Sequence, residues 1–426
     1  MEQFFGSIGF NFELNIITLI GLLVSISFLG SKIFQWLGIP QVVGFIVMGV
    51  ILGTSFLNIV PMELVKELTF ISEIALGLIG FDMGSHLRFD DLKKLGRSIF
   101  FILIFEAFGT FLLVSAGIYL LTQSLHTALI FGALSSATAP AATVDVLAEY
   151  DAKGPLTTSL LAVVGLDDAL SLLLFSIIAS YTETLLVGSG MPSLMDSIKL
   201  PLIEIGGSLL LGVLSGLLLN QILCRMKNLH DTMAISIGFV FLCVGLSNTF
   251  GLSLILTTMI MGVTVVNLCA DHGRSIRYTI EQAGPVIYVL FFTLVGARFD
   301  IRLLPTMGLV GGAYVVLRSL GKFSGAWVGG TIGGASPLVR NNLGLGLLSQ
   351  AGVAIGLALS CCDRFGPLGP EGVALSAMIL SVITATTFVV QVFGPIGVKL
   401  AITRAGEIGA GKNTPNGFAS EGKPEV

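Results

Sequence analysis

Thirteen apolar stretches, most of them long enough to cross a lipid bilayer, dominate the chain. They lie near residues 13–30, 40–59, 68–85, 97–121, 126–148, 156–181, 200–223, 231–248, 251–269, 279–297, 305–332, 339–361 and 371–399. A hydrocarbon core about 30 Å thick takes a helix of about 20 residues, whereas a barrel strand needs only about 9–11. Lipid offers the backbone no hydrogen-bond partner, so a spanning segment must satisfy itself as a helix or within a closed barrel. Runs of this length choose the helix. Composition agrees: 54% of the 426 residues are hydrophobic and only 11% are charged, against about 25% in soluble domains. The expectation is an all-α polytopic membrane protein of about thirteen transmembrane helices.

Loop charges orient it. With the N-terminus outside, one side collects Lys32, Arg88, Lys93, Lys94, Arg97, Lys153, Arg225, Lys227, Arg274, Arg277, Arg340, Lys399 and Arg404. The other collects Lys66, Lys199, Arg302 and Arg364. The positive-inside rule assigns the first side to the cytoplasm, so the N-terminus is expected outside and the C-terminus inside, in the plasma (inner) membrane. The opening "MEQFFGSIGFNFELN" has no basic n-region, and no signal peptide is expected. Cys224, Cys243, Cys269, Cys361 and Cys362 have neither zinc nor disulfide spacing and read as small packing residues.

The chain repeats itself weakly. A shift of about 212–213 residues carries "FIVMGV" (45–50) onto "MIMGV" (259–263), and "GSHLRF" (84–89) onto "GARFDI" (296–301). It also carries Glu106 onto Arg318 and Pro140 onto Gly352. Six helices and a single linker helix make the second half start from the opposite face, so the repeats are inverted. The expected organisation is one transporter domain over 1–400. Repeat 1 covers about 13–181, the linker helix 200–223, and repeat 2 about 231–399. Residues 401–426 form a short disordered cytoplasmic tail. The fifth and twelfth helices, "SSATAPAATVDVL" (135–147) and "LLSQAGVAIGLAL" (347–359), carry Pro140 and Gly352 at matched places. Proline removes a backbone donor and clashes with the preceding turn. Both helices are therefore expected to be broken and to cross near the membrane centre, the alternative being two ordinary Ser/Gly-rich packing helices.

Asp167 and Asp168 stand side by side in "VVGLDDALSLLLF" (163–175), about eleven residues into the sixth helix. A carboxylate at a helix centre in lipid costs roughly 2.5–3.5 kcal/mol, so two of them imply function rather than a helix end. Burial disfavours the charged form of a carboxylate, so such a group can hold a proton near neutral pH. Its oxygens also suit Na⁺ or Li⁺, and proton and cation then compete for one place. Neighbours on a helix point about 100° apart, so one faces a cavity and the other the core. Asp168 is the expected principal ion ligand with Asp167 beside it, supported by Ser136, Thr138 and Gln350. Glu106, Arg318 and Lys322 are further buried charges. A Glu106–Arg318 pair is favoured because the two are repeat mates; pairing of Arg318 or Lys322 with Asp167 competes with it. Asp82, Glu73, Asp145, Glu149 and the histidines 86, 126, 230 and 272 read as helix-end or packing groups, Asp145 and Glu149 also as the wall of a funnel. Arg298 reads as a side chain reaching to the interface.

Those stretches, together with "SEIALGLIGFDMG" (72–84) and "FFTLVGARFD" (291–300), resemble the second branch of monovalent cation:proton antiporters, with its NapA-type and Kef-type members. The likeness covers residues 13–400. It implies an NhaA-like fold and a homodimer in which helices 4–6 and 11–13 move as a body through the membrane. It also implies exchange of Na⁺ or Li⁺, or of K⁺, for protons, with no cofactor and no nucleic-acid partner. Asp168 resembles the principal cation ligand, Asp167 its charge partner, and Arg318 the basic residue on the eleventh helix. Many paired-aspartate members carry lysine as that base; here it is Arg318 with Lys322 one turn on, and an arginine keeps its proton. The alternative is a Kef-type K⁺/H⁺ antiporter or channel-like K⁺ efflux system, against which stands a tail of about 26 residues where many Kef-type members carry a soluble domain. A potassium channel would need a carbonyl filter of the TVGYG kind, and an intramembrane aspartyl protease needs two aspartates from different helices. Neither pattern is present.

Overall fold

The computed structural model describes residues 15–187, 194–226, 229–268, 270–299, 305 and 308–410. Every regular element among them is helical. In chain order these are α1 (Ile16–Trp36), α2 (Gln41–Leu52), a short α3 (Met62–Glu67), α4 (Thr69–Ser85), α5 (Phe89–Thr122), α6 (Leu125–Ser135), α7 (Pro140–Glu149) and α8 (Pro155–Val187). There follow α9 (Leu194–Leu223), α10 (Leu229–Phe250), α11 (Leu254–Leu268), α12 (Ala270–Arg298), α13 (Gly308–Gly333), α14 (Pro337–Asn342), α15 (Gly352–Phe365) and α16 (Pro370–Ala405).

Among the described residues seven helical stretches are long and apolar enough to cross a membrane. Three apolar helices are shorter: Gln41–Leu52, Leu254–Leu268 and Gly284–Arg298. The stretch 40–59 thus contains only 12 helical residues, about 18 Å at 1.5 Å per residue. Past Leu52 the chain turns: the amides of Ile59 and Val60 both return to the Leu52 carbonyl, and Asn58 adopts φ 49. An unbroken apolar run did not reveal this turn. Outward faces are apolar, with Leu210 at 62% exposure and Leu120 at 74%, as lipid-facing surfaces are.

Two helices are interrupted. α6 stops at Ser135 and α7 starts at Pro140, leaving 136–139 non-helical; 348–351 is non-helical between the 3₁₀ turn Leu343–Leu347 and α15. Both breaks fall where Pro140 and Gly352 predict them, and the two segments lie 212 positions apart. They touch: the Ala139 amide donates to the Ser349 carbonyl at 3.0 Å.

Packing divides the helices into two sets, α1–α4 with α9–α12 and α5–α8 with α13–α16. The most extensive contact is α5 on α13. Gly321, Gly325, Gly329 and Gly333 repeat every fourth residue along α13 and lie against Thr110, Glu106, Ile102 and Ser98 of α5. A Cβ at 325 would sit 2.6 Å from the Glu106 Cα, so only glycine permits the approach. This close contact without bulky side chains is how helices associate where lipid removes the hydrophobic drive.

The last helix runs beyond the expected boundary at 400. α16 continues to Ala405, and Gly406 closes it at φ 70. Glu407, 4% exposed, then accepts from the Leu156 amide at 2.8 Å and from the Thr157 amide and hydroxyl at 2.7 Å each. It therefore caps the first turn of α8, whose amides have no intrahelical acceptor. The tail is thus ordered as far as 410; residues 411–426 of the expected tail lie outside the described residues.

Candidate functional site

Arg318, Lys322 and Gln350 bond the two interruptions directly, and Glu106 and Asp167 join them through Lys322. α5 contributes Glu106, α8 contributes Asp167 and Asp168, and α13 contributes Tyr314, Arg318 and Lys322. Glu106, Asp167, Arg318 and Lys322 are all fully buried.

Lys322 is the centre of the charge cluster. Its Nζ lies 2.6 Å from Glu106 Oε2 and 3.1 Å from Asp167 Oδ2, and it donates to the Ser136 carbonyl in the first break. The expected Glu106–Arg318 pair is not formed. The antiparallel register of α5 on α13 explains this. Glu106 faces Gly325, which is one turn from Lys322 but two turns, about 10 Å, from Arg318. In this register residues 212 apart meet only where the two helices cross, and Glu106 and Arg318 fall on opposite sides of that point.

Arg318 does other work, and pairs with neither Glu106 nor Asp167. Nε donates to the Ser135 carbonyl at 3.1 Å and Nη2 to Ala137 at 2.8 Å, both at the first break. Nη1 donates to Leu348 at 2.5 Å and Nη2 to Ser349 at 3.2 Å, at the second. One guanidinium thus replaces helix hydrogen bonds lost at both interruptions. Its planar fork suits the task, and it stays charged throughout. Interrupted backbone at this depth is tolerated only when protein or water satisfies it.

The supporting residues differ in what they have free. Gln350 donates to the Leu134 carbonyl at 2.8 Å and accepts from the Tyr314 hydroxyl at 3.2 Å, so its amide is committed to the backbone. The Ser136 hydroxyl is spent on the Ala133 carbonyl at 2.7 Å. The Thr138 hydroxyl is buried with no hydrogen-bond partner. Tyr314 was missed by sequence reading; a lone tyrosine about two turns into an apolar helix carries no signal until Gln350 faces it.

The adjacent aspartates part as the 100° rotation requires. Asp167 turns inward to Lys322. Asp168 is partly exposed, with Oδ1 buried and without a partner. Three residues before it, Gly165 packs against Met83 of α4 and Met259 of α11. Residues three apart share a helix face, so Asp168 belongs to the seam between the two sets of helices.

Other charges have local partners. Glu73 accepts from Asn248 at 2.8 Å. His86 approaches Asp82 at 3.7 Å, and Ser124 bonds His126 at 3.0 Å. Arg298 donates to the Thr69 hydroxyl at 3.3 Å, so its expected reach to the interface ends on a protein hydroxyl. The side chains of His230, His272 and Cys269 lie outside the described residues.

A many-helix membrane protein with carboxylates, a lysine and an arginine gathered at two interrupted helices belongs to the class of ion-translocating transporters. The description "Sodium/hydrogen exchanger, transmembrane" matches residues 21–402, and the chain belongs to that family. It is 24% identical over 340 residues to a Na⁺/H⁺ antiporter of Enterococcus hirae, covering 77% of this chain and 84% of that one. It is 24% identical over 427 residues to the high-affinity Na⁺/H⁺ antiporter NhaS3 of Synechocystis sp., covering 88% and 90%. Among solved structures, the sodium proton antiporter MjNhaP1 of Methanocaldococcus jannaschii superposes with a TM-score of 0.76 at 19% identity, covering 96% of this chain and 99% of that one.

Proposed function

We propose that this protein is a secondary active antiporter that exchanges a monovalent cation, Na⁺ or Li⁺ and by extension K⁺, for protons. Asp168 takes the cation or the proton, and Asp167 balances charge beside it. The Thr138 hydroxyl, which has no hydrogen-bond partner, adds a further oxygen for the cation, which is cargo rather than a resident cofactor. The observation that carries this reading is the parting of the adjacent carboxylates. Asp167 is neutralised in the interior by Lys322, while Asp168, with an unpartnered oxygen, belongs to the seam. Lys322, rather than Arg318, takes the part of the membrane base that the paired-aspartate resemblance implies.

Transport proceeds by alternating access, with α5–α8 and α13–α16 moving as one body against α1–α4 and α9–α12. The shared 212-residue offset of the interruptions supports two inverted six-helix repeats joined by α9, and thirteen spans within one membrane domain. The same reading has the protein work as a homodimer in the inner membrane, N-terminus outside and C-terminus in the cytoplasm, as a paired-aspartate member of its family.

The test is proton movement in proteoliposomes holding the purified protein, driven by Na⁺, Li⁺ or K⁺ in turn. Wild type moves protons against at least one cation. Asp168→Asn abolishes this while its melting curve in detergent stays cooperative, since Asp168 makes no ion pair whose loss would unfold the chain. Full exchange in that variant would remove Asp168 from the site. Potassium flux without protons would replace the antiporter by a channel.

A further inference from the structure

Where α1 and α7 end and α16 nears its end, two charged side chains of one helix set close on a single turn of the other. The turn joins α1 to α2 and passes through Gly38 at φ 74. α2 begins after Pro40, which has no side-chain acceptor to cap it. Glu149, the last residue of α7, supplies the missing cap: its Oε2 accepts from the Gln41 amide at 2.8 Å. Its Oε1 faces the Gln35 Nε2 at 3.5 Å, while Lys32 donates to the Gln35 oxygen at 3.0 Å and so turns the amide toward Glu149. Lys399 of α16 donates to the Gly38 carbonyl and lies 5.1 Å from the centre of the Tyr150 ring.

The charges are matched to what they grip. A carboxylate is favoured at the N-terminus of a helix and disfavoured at the C-terminus, while a cation is favoured at the C-terminus. Glu149 stands at the unfavourable end of its own helix and the favourable end of α2. Lys399 meets a carbonyl just past the C-terminus of α1. Each therefore gains by reaching across the seam. Both residues are only partly buried, so water can take their place when the contact opens.

We propose that Glu149 and Lys399 form a latch on the 38–41 turn, one that holds the ion-carrying helices in this position and releases in every transport cycle. The proposal rests on the alternating-access reading above. α7 starts at the first interruption and α16 packs beside the second, so opening the latch frees the elements that flank the ion site.

Two measurements test it. The Gln41 amide gives a readout that needs no transport. In Glu149→Ala its hydrogen exchange should be at least tenfold faster, with that of Ile46 in the same helix unchanged. An unchanged rate at Gln41 would mean that Glu149 does not hold the turn. The second uses Gln35→Cys with Glu149→Cys in a chain whose five native cysteines are replaced, bridged by a short bis-maleimide. Bridging should cut cation-driven proton movement at least tenfold, while each single-cysteine chain treated with the same reagent keeps its rate. Bridged protein that exchanges at the unbridged rate would overturn the latch. If unbridged protein moves no protons at all, the antiporter reading fails instead, and Gln41 exchange still decides whether Glu149 grips the turn.

Discussion

Lys322 faces two carboxylates at once, Glu106 and Asp167, all three out of contact with solvent. Removing one partner of a buried ion pair costs about 3–5 kcal/mol, because the other charge is left without compensation. Lys322→Met strands two carboxylates and should lower thermal stability in detergent by at least that much. Adding Glu106→Gln should restore part of the loss. Glu106→Gln alone leaves Lys322 on Asp167 and should cost less than Lys322→Met. Glu106→Gln with Arg318→Gln should show no rescue, since those two side chains do not meet; a double variant more stable than either single one would reinstate their pair. Arg318→Lys should also be damaging. A lysine cannot serve the four carbonyls at the two breaks with one planar fork, and melting temperature and exchange should both fall.

Two helix contacts position these residues. The glycine series of α13 brings Lys322 within reach of Glu106. Gly325→Val would drive a branched side chain into the α5 backbone, where overpacking costs about 1–3 kcal/mol. It should weaken exchange beyond its effect on stability, because the separation falls at the charge cluster; cation-dependent proton release, compared with the melting curve, measures both. At the first turn of α8, the helix that carries both aspartates, Glu407 supplies the cap. Glu407→Ala removes an N-terminal cap, a change worth about 0.5–2 kcal/mol. The amides of Leu156 and Thr157 should lose hydrogen-exchange protection, with that of Val164, two turns on, retained. Unchanged protection at 156 and 157 would remove the cap.

For the whole molecule, the basic loops predict an N-terminus outside and a C-terminus inside. In right-side-out vesicles and a cysteine-free background, Leu57→Cys should react with a membrane-impermeant maleimide and Lys94→Cys should not, until the membrane is permeabilised. The reverse pattern would invert the molecule, and with it the side on which the Glu149–Lys399 latch lies.

Much of this was legible in the residues. Apolar length selects helices because lipid leaves the backbone no other partner, and Pro140 and Gly352 mark the interruptions because proline and glycine are poor for a continuous helix. Asp167 and Asp168 stood out because nothing in a stretch of lipid-soluble side chains explains them, and their divergence follows from helical geometry alone. The partners of the charges were not legible. Whether Glu106 meets Arg318 or Lys322 depends on where α5 crosses α13, and a displacement of one helical turn decides it. The turn after Leu52, the tyrosine on Gln350 and the reach of Glu407 back to α8 likewise join residues that have no sequence relation. Periodicity and burial cost act along the chain and can be read there; which buried charge neutralises which is set by distances of a few ångströms between helices, and these exist only once the chain has packed.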